Sequence, residues 1–179
     1  MLEDELLIWK LTHGDGQSLC KIYEKYKDCL LTIAVSLLNN TASAEDILHD
    51  VFVSFSKCSG RFVPFGSLKN YLITCVVNGV SERFRSKMYK IVGLDSTGPI
   101  GSDSDESEQS AVRKDESQRL NNTLAELPLH QRETIVLHLQ GAMTFRAIAT
   151  VQGVSINTAR DRYQYGLDKL RSLLEEVIE

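Results

Sequence analysis

Gly153 stands between two runs of helical periodicity, and no other feature limits the local fold of this chain as tightly. Before it, Phe145, Ile148 and Ala149 fall on one helical face. After it, Ile156, Ala159, Tyr163, Leu167, Leu170 and Leu174 recur at steps of 3 or 4. Glycine suits the positive φ of a sharp helix-to-helix turn, Val154 can plug the corner, and Ser155 can cap the second helix. The apolar stripe leaves Asn157, Arg160, Asp161 and Gln164 outward. A helix held by one face and offering Ser, Asn, Thr and Arg from its N-terminal end fits a DNA major groove. The same spacing also fits an ordinary helical hairpin.

The helical period extends to nearly all of the remaining chain, so the expected fold class is all-α. Residues 3–12 read as a short amphipathic helix ended by Gly14, Asp15 and Gly16. Leu19, Ile22, Tyr23, Tyr26, Leu30, Ile33, Ala34 and Leu37 mark a core helix ending near Asn39 and Asn40. A third helix spans 41–55, where Ser43 and Asp46 have capping-box spacing. Ile47, Val51, Phe52 and Phe55 turn inward there, while Asp46, His49 and Asp50 share a polar face. That face is equally what a solvated surface looks like. Residues 58–67 form a loop carrying Arg61, Phe62 and Phe65, and exposed aromatics beside a basic residue can stack unpaired bases. Leu68, Leu72, Val76, Val80 and Phe84 then stripe a helix with Lys69, Asn70, Tyr71, Asn78, Arg83 and Arg85 on its other faces. Beyond the linker, Leu120, Leu124 and Leu127 mark another helix. Pro128 starts the next, and Gly141 is expected to stop it.

Charge divides the chain. Residues 1–88 hold 10 basic and 10 acidic side chains and 117–179 hold 7 and 7, so the 3 basic and 7 acidic residues of 89–116 carry the whole net charge of −4. That segment includes GSDSDESEQS, which is too polar to bury a core. The expected organisation is therefore two small helical domains, 1–88 and 117–179, joined by a flexible acidic linker, 89–116. A neutral or acidic balance excludes a protein that coats nucleic acid non-specifically and favours DNA binding helped by a partner. No apolar run reaches the roughly 18–20 residues of a membrane span, and the start of the chain is acidic where a secretory signal is basic. We expect no membrane insertion and a cytoplasmic location. Cysteines 20, 29, 58 and 75 form no C-x-x-C pair and are expected as buried thiols in a reducing compartment. The four histidines are scattered, so no metal and no cofactor is expected. No nucleophile–base pair or phosphate-binding glycine loop marks an enzyme.

These residues together resemble the bacterial sigma-70 family of RNA polymerase sigma factors, in the small two-domain extracytoplasmic-function type. AEDILHDVF at 44–52 is similar to the region 2 helix that grips the polymerase clamp, and RFVPFGSLKNYLITCVVNGVSERFR at 61–85 to the loop and helix that open and read the −10 element. LPLHQRETIVLHLQGAMTFRAIATVQGVSINTARDRY is similar to region 4, the −35 helix-turn-helix. The resemblance implies that Asp46, His49, Asp50 and Phe52 bind core polymerase. It implies −10 contacts through Arg61, Phe62, Phe65, Lys69, Asn70, Tyr71, Asn78 and Arg85. It implies −35 contacts through Arg146, Ser155, Asn157, Thr158, Arg160, Asp161 and Arg162, with Arg160 as leading base reader and Arg162 on phosphate or an intramolecular acid. Implied partners are core RNA polymerase, promoter double-stranded DNA, the melted −10 strand and an anti-sigma factor. The chain departs from the family pattern at His49, Phe55, Tyr71 and Ser86, at Arg146–Ala147, and at Tyr165, Leu167 and Asp168. Two other functions fit parts of the chain: a helix-turn-helix regulator that does not bind polymerase, which would not need the 44–52 helix, and a sigma-like interaction protein that does not initiate.

Overall fold

The computed structural model describes residues 2–58, 67–93 and 111–176, all of them in helices or the short turns between helices. The order is α1 (Leu2–Thr12), α2 (Gly16–Leu38), α3 (Thr41–Cys58), α4 (Leu68–Gly93), α5 (Ala111–Ala125), α6 (Leu129–Leu139), α7 (Phe145–Gln152) and α8 (Ile156–Glu176). Two of these helices reach into the expected linker: α4 runs to Gly93 and α5 begins at Ala111. Residues 94–110 of that linker, and the loop residues Arg61, Phe62 and Phe65, lie outside the described residues.

α2 organises the packing, because it lies against α1, α3, α4, α5 and α6. Asp15 starts it by accepting the Gln17 N–H at 3.0 Å. Asn39 ends it in the left-handed region at φ 51°, with its N–H on the Val35 carbonyl. Between these caps Ile22, Leu30, Ile33 and Leu37 are fully buried. Fully burying such side chains contributes roughly 1.5–3 kcal/mol each, which is why this stripe dominates the first bundle. α1 is tied on by polar contacts as well as by Leu7, Ile8 and Leu11. The Asp4 carboxylate accepts from Tyr26 Oη and Lys25 Nζ, both at 2.8 Å.

Several local expectations are corrected. The cap of α3 is Asn40, whose Oδ1 accepts the Ser43 N–H at 2.7 Å; Ser43 is thereby a first-turn residue and no capping box forms. Asp46 instead takes Arg83 Nη2 of α4 at 2.9 Å. The stop after α6 is also built differently. Ala142, not Gly141, adopts the positive φ, at 55°. Gly141 is required because a Cβ there would lie 2.5 Å from the Leu137 carbonyl oxygen. Leu139, in the last turn of α6, is 60% exposed. Cys20 is exposed, and Cys29 and Cys75 are only half-buried, so they are not the buried thiols expected.

α2 also meets the second half along a polar seam. Arg132 of α6, 7% exposed, donates to the Leu37 carbonyl at the end of α2 at 2.6 Å. It also reaches the Ala125 and Leu127 carbonyls at 2.7 and 3.2 Å. Around it Gln140 donates to Ser36 at 2.9 Å, Ser36 to Asn121 at 3.3 Å and Asn39 to Asn122 at 2.9 Å. Ser81 of α4 contributes a longer contact, 3.5 Å, to the buried Glu133.

Two outcomes follow from this packing. Arg132→Met keeps side-chain length but strands buried carbonyls, at about 1–3 kcal/mol for an unsatisfied group; thermal unfolding should shift down accordingly, and an unchanged midpoint would show that Arg132 does not hold the seam. For Asp4, burial raises the carboxyl, but the Lys25 and Tyr26 hydrogen bonds outweigh it and hold the group below its ordinary 3.8. A depressed folded value stabilises above the unfolded one and is lost as pH falls through it. Asp4→Asn should therefore melt earlier than wild type near neutrality, with the gap closing below pH 3.8; a gap that persists in acid would contradict this.

Candidate nucleic-acid interface

The helix-turn-helix is set by its caps. Thr144 Oγ1 accepts the Ala147 N–H at 3.3 Å and starts α7. Gly153 turns the chain at φ 65°, and the Val154 N–H closes back on the Ala149 carbonyl at 3.0 Å. Ser155 Oγ then accepts the Thr158 N–H at 3.0 Å and opens α8. α8 is seated through Ala159 and Gly166, both buried. At Gly166 an added Cβ would lie 2.8 Å from Ile135 Cδ1 and 3.2 Å from Gln131 Cβ, so α6 and α8 approach closely. On the α7 side, His138, Phe145 and Tyr163 form an aromatic trio with ring centroids 4.5, 5.0 and 5.4 Å apart. The His138 ring is fixed by Nδ1 against the Met143 carbonyl at 2.9 Å, which requires the proton on Nδ1.

With that face seated, the first turns of α8 expose Asn157, Arg160 and Asp161, and Arg146 is exposed on α7. Arg160 has no hydrogen-bond or ionic partner among the described residues. The other residues expected on DNA are engaged: the Ser155 hydroxyl caps the helix, and Thr158, half-buried, contacts it at 2.8 Å. Arg162 is half-buried, and its Nη1 donates to Gln152 Oε1 at 2.8 Å. Its intramolecular partner is therefore a carboxamide and not an acid. Gln152 in turn donates to Glu133 at 3.1 Å and to the His130 carbonyl at 3.0 Å. Sequence reasoning missed Gln152, Glu133 and Gly166. A polar residue at the end of α7 and a glycine inside α8 were the only signals.

The first bundle presents two more polar surfaces. On α3, Asp46, His49 and Asp50 are all exposed, with Asp46 paired to Arg83. Phe52 is not on that surface: it is 8% exposed and packs edge-on against Tyr23, ring centroids 4.9 Å apart. It supports the face from beneath. On α4, Tyr71, Asn78 and Arg85 are exposed and spaced by seven, so they line one side of the helix. The Tyr71 ring sits 6.2 Å from that of Phe55. Lys69 and Asn70 are half-buried at the start of the helix. Among the described residues no helix is long and apolar enough to cross a membrane, and no His, Cys, Asp and Glu cluster could hold a metal.

Residues 22–88, which contain α3 and the stripe of α4, match the family model Sigma-70 region 2. The RNA polymerase sigma factor CarQ of Myxococcus xanthus is 29% identical over 144 residues, covering 79% of this chain and 80% of the relative. The fold matches the solved structure of CnrH in complex with the cytosolic domain of CnrY, with a TM-score of 0.74 over 97% of both chains at 20% identity. It also matches the sigma factor RpoE in complex with the anti-sigma factor NepR from Bartonella quintana. There the TM-score is 0.64, over 87% of this chain and 97% of the other, at 21% identity.

Proposed function

We propose that this chain is a sigma factor of the sigma-70 family, in the extracytoplasmic-function type, and that its surfaces divide the work of initiation. It is a sigma factor that binds core RNA polymerase and directs promoter-specific transcription. The chemistry of RNA synthesis belongs to core polymerase; this chain supplies recognition, and it works in the cytoplasm. The observation that carries the assignment is the family match at 22–88, which spans both exposed polar faces of the first bundle.

In this reading region 2 is 1–88 and region 4 is 117–179, with 89–116 between them. The α3 face of Asp46, His49 and Asp50, backed by Phe52, docks on the polymerase. Three exposed polar side chains on a rigid helix give a partner both charge and hydrogen-bond complementarity, which set specificity and association rate. The α4 stripe of Tyr71, Asn78 and Arg85, with Lys69 and Asn70 at its head and Arg61, Phe62 and Phe65 in the preceding loop, takes the opened −10 strand. Stacking and edge hydrogen bonds offset the few kcal/mol lost when a base leaves the duplex. α8 enters the major groove at the −35 element, with Arg160 and Asn157 toward base edges and Arg146, Ser155, Thr158, Asp161 and Arg162 around them. An anti-sigma factor is a further partner, as it is for the RpoE structure that shares this fold.

Bipartite reading constrains the seam. The two promoter elements lie about 25 base pairs apart, roughly 85 Å at 3.4 Å per base pair. A folded chain of this size spans on the order of 40 Å. The halves therefore part at Arg132 when both elements are bound. Residues 94–110, fully extended, reach about 60 Å and can bridge that opening.

Two substitutions test the division. Asp50→Lys reverses charge on the α3 face and should weaken capture of core polymerase more than about tenfold, while surface position keeps the stability change under about 0.5 kcal/mol. Pull-down at wild-type strength would remove α3 from the contact. Arg160→Ala should lose about 1–3 kcal/mol on the correct promoter and relax preference at one or two −35 positions. If holoenzyme affinities for single-base −35 variants keep their wild-type ranking, the reader lies elsewhere on α8.

A further inference from the structure

The last residue of α7 has four partners. Gln152 Oε1 accepts from Arg162 Nη1 at 2.8 Å and from Thr134 Oγ1 at 3.3 Å. Its Nε2 donates to Glu133 Oε2 at 3.1 Å and to the His130 carbonyl at 3.0 Å. The orientation of the amide is dictated by these neighbours. A guanidinium can only donate, and an ionised carboxylate can only accept. Turning the amide over would set its NH₂ against Arg162 and its oxygen against Glu133 and the His130 carbonyl, breaking those three contacts. The residue type is dictated in the same way. Glutamate at 152 would face the Glu133 carboxylate, and lysine would face the Arg162 guanidinium. Only a neutral group that donates at one atom and accepts at the other joins the two. Glu133 is 2% exposed and is itself held by His130 Nδ1 at 3.4 Å and Ser81 Oγ at 3.5 Å, so the anchor is fixed in the protein interior.

We propose that Gln152 is a positioning residue for promoter binding, which holds the Arg162 guanidinium aimed at a DNA phosphate on the flank of the −35 groove. The proposal rests on the assignment of α8 to the −35 duplex. Arg162 lies two residues beyond Arg160, some 200° further round a helix of 3.6 residues per turn. The two arginines therefore do not share a side of the groove: Arg160 is solvent-exposed and unpartnered, and Arg162 stands at the α7 edge, above the Ser155 cap. Held at Nη1 alone, the guanidinium keeps its other N–H donors for a phosphate oxygen, and the planar fork suits that ligand. An untethered arginine would lose rotamer freedom on binding, and one already held by Gln152 loses less. A phosphate contact adds affinity without sequence information.

The test is a double-mutant cycle on the holoenzyme, using Gln152→Ala, Arg162→Ala and the pair, with promoter fragments carrying matched and base-substituted −35 elements at two salt concentrations. Arg162→Ala should weaken all fragments alike and lower the salt slope by about one. Gln152→Ala should give a smaller uniform loss of several-fold, and the pair should be no worse than Arg162→Ala. A residue that merely supports the fold would instead add its loss to that of Arg162→Ala; the unfolding midpoint falls in either case, because the substitution strips a donor from the buried Glu133. Gln152→Met, which keeps length without the amide, repeats the measurement should the alanine variant fold poorly. Multiplicative losses in the pair, or a changed ranking of −35 variants with Gln152→Ala, would overturn the proposal. Wild-type holoenzyme indifferent to the −35 sequence would remove the α8 assignment and this inference with it.

Discussion

A buried guanidinium at the end of α2 governs how the two halves of this chain meet. Burial of Arg132 disfavours its charged form, and that desolvation pushes its pKa down. The bonds it makes offset part of that cost: the buried Nε of Arg132 makes no hydrogen bond, while Nη1 and Nη2 are spent on three carbonyls. One of them, Leu37, ends α2, where the negative pole of the helix dipole favours a cation. α2 is also the helix against which α1, α3 and α4 pack. The same element therefore completes the first bundle and receives the second half. The seam around Arg132 includes Ser36, Asn39, Asn121, Asn122 and Gln140, side chains that water can satisfy in the separation proposed for promoter binding. Such an interface holds a closed chain without making its opening as costly as exposing an apolar core.

The faces proposed for function are those that this packing leaves outward. α3 and α4 are seated by Ile47, Val51, Val76 and Val80, which frees the Asp46–His49–Asp50 face and the Tyr71–Asn78–Arg85 stripe. α8 is seated by Ala159, Gly166 and the aromatic trio, which frees Asn157 and Arg160. The two arginines of its first turns differ by environment, not by type. Arg160 is exposed and unpartnered, while Arg162 is tied to a buried acid through one amide. That contrast suits one for base edges, where a mobile side chain must find its acceptor, and the other for a fixed phosphate.

The helices and the turn at Gly153 were legible in the sequence because they follow from local rules: a 3.6-residue stripe, a glycine at positive φ, a serine cap. The region 2 motif, which the family model matches at 22–88, was legible for the same reason, since it is a contiguous stretch. What the sequence did not reveal depends on partners distant along the chain. Ser43 and Asn40 are both good caps, and only the backbone path out of Asn39 decides for Asn40. Gly141 reads as a positive-φ stop, yet the constraint on it is the Leu137 carbonyl, and Ala142 takes the turn. Phe52 has the spacing of both a core residue and a surface contact, and Tyr23 settles it as core. The Arg132 seam and the Glu133–Gln152–Arg162 relay join residues up to 104 positions apart, so no window of sequence contains them.

The central claim is that this chain makes core polymerase start at chosen promoters. Its most direct test is run-off transcription with purified chain and core enzyme on genomic fragments of the host, compared with core enzyme alone. The account predicts transcripts that begin at defined positions and appear only when the chain is added. Tight binding to core polymerase with no promoter-specific transcript on any fragment would contradict it and leave a sigma-like protein that occupies polymerase without initiating.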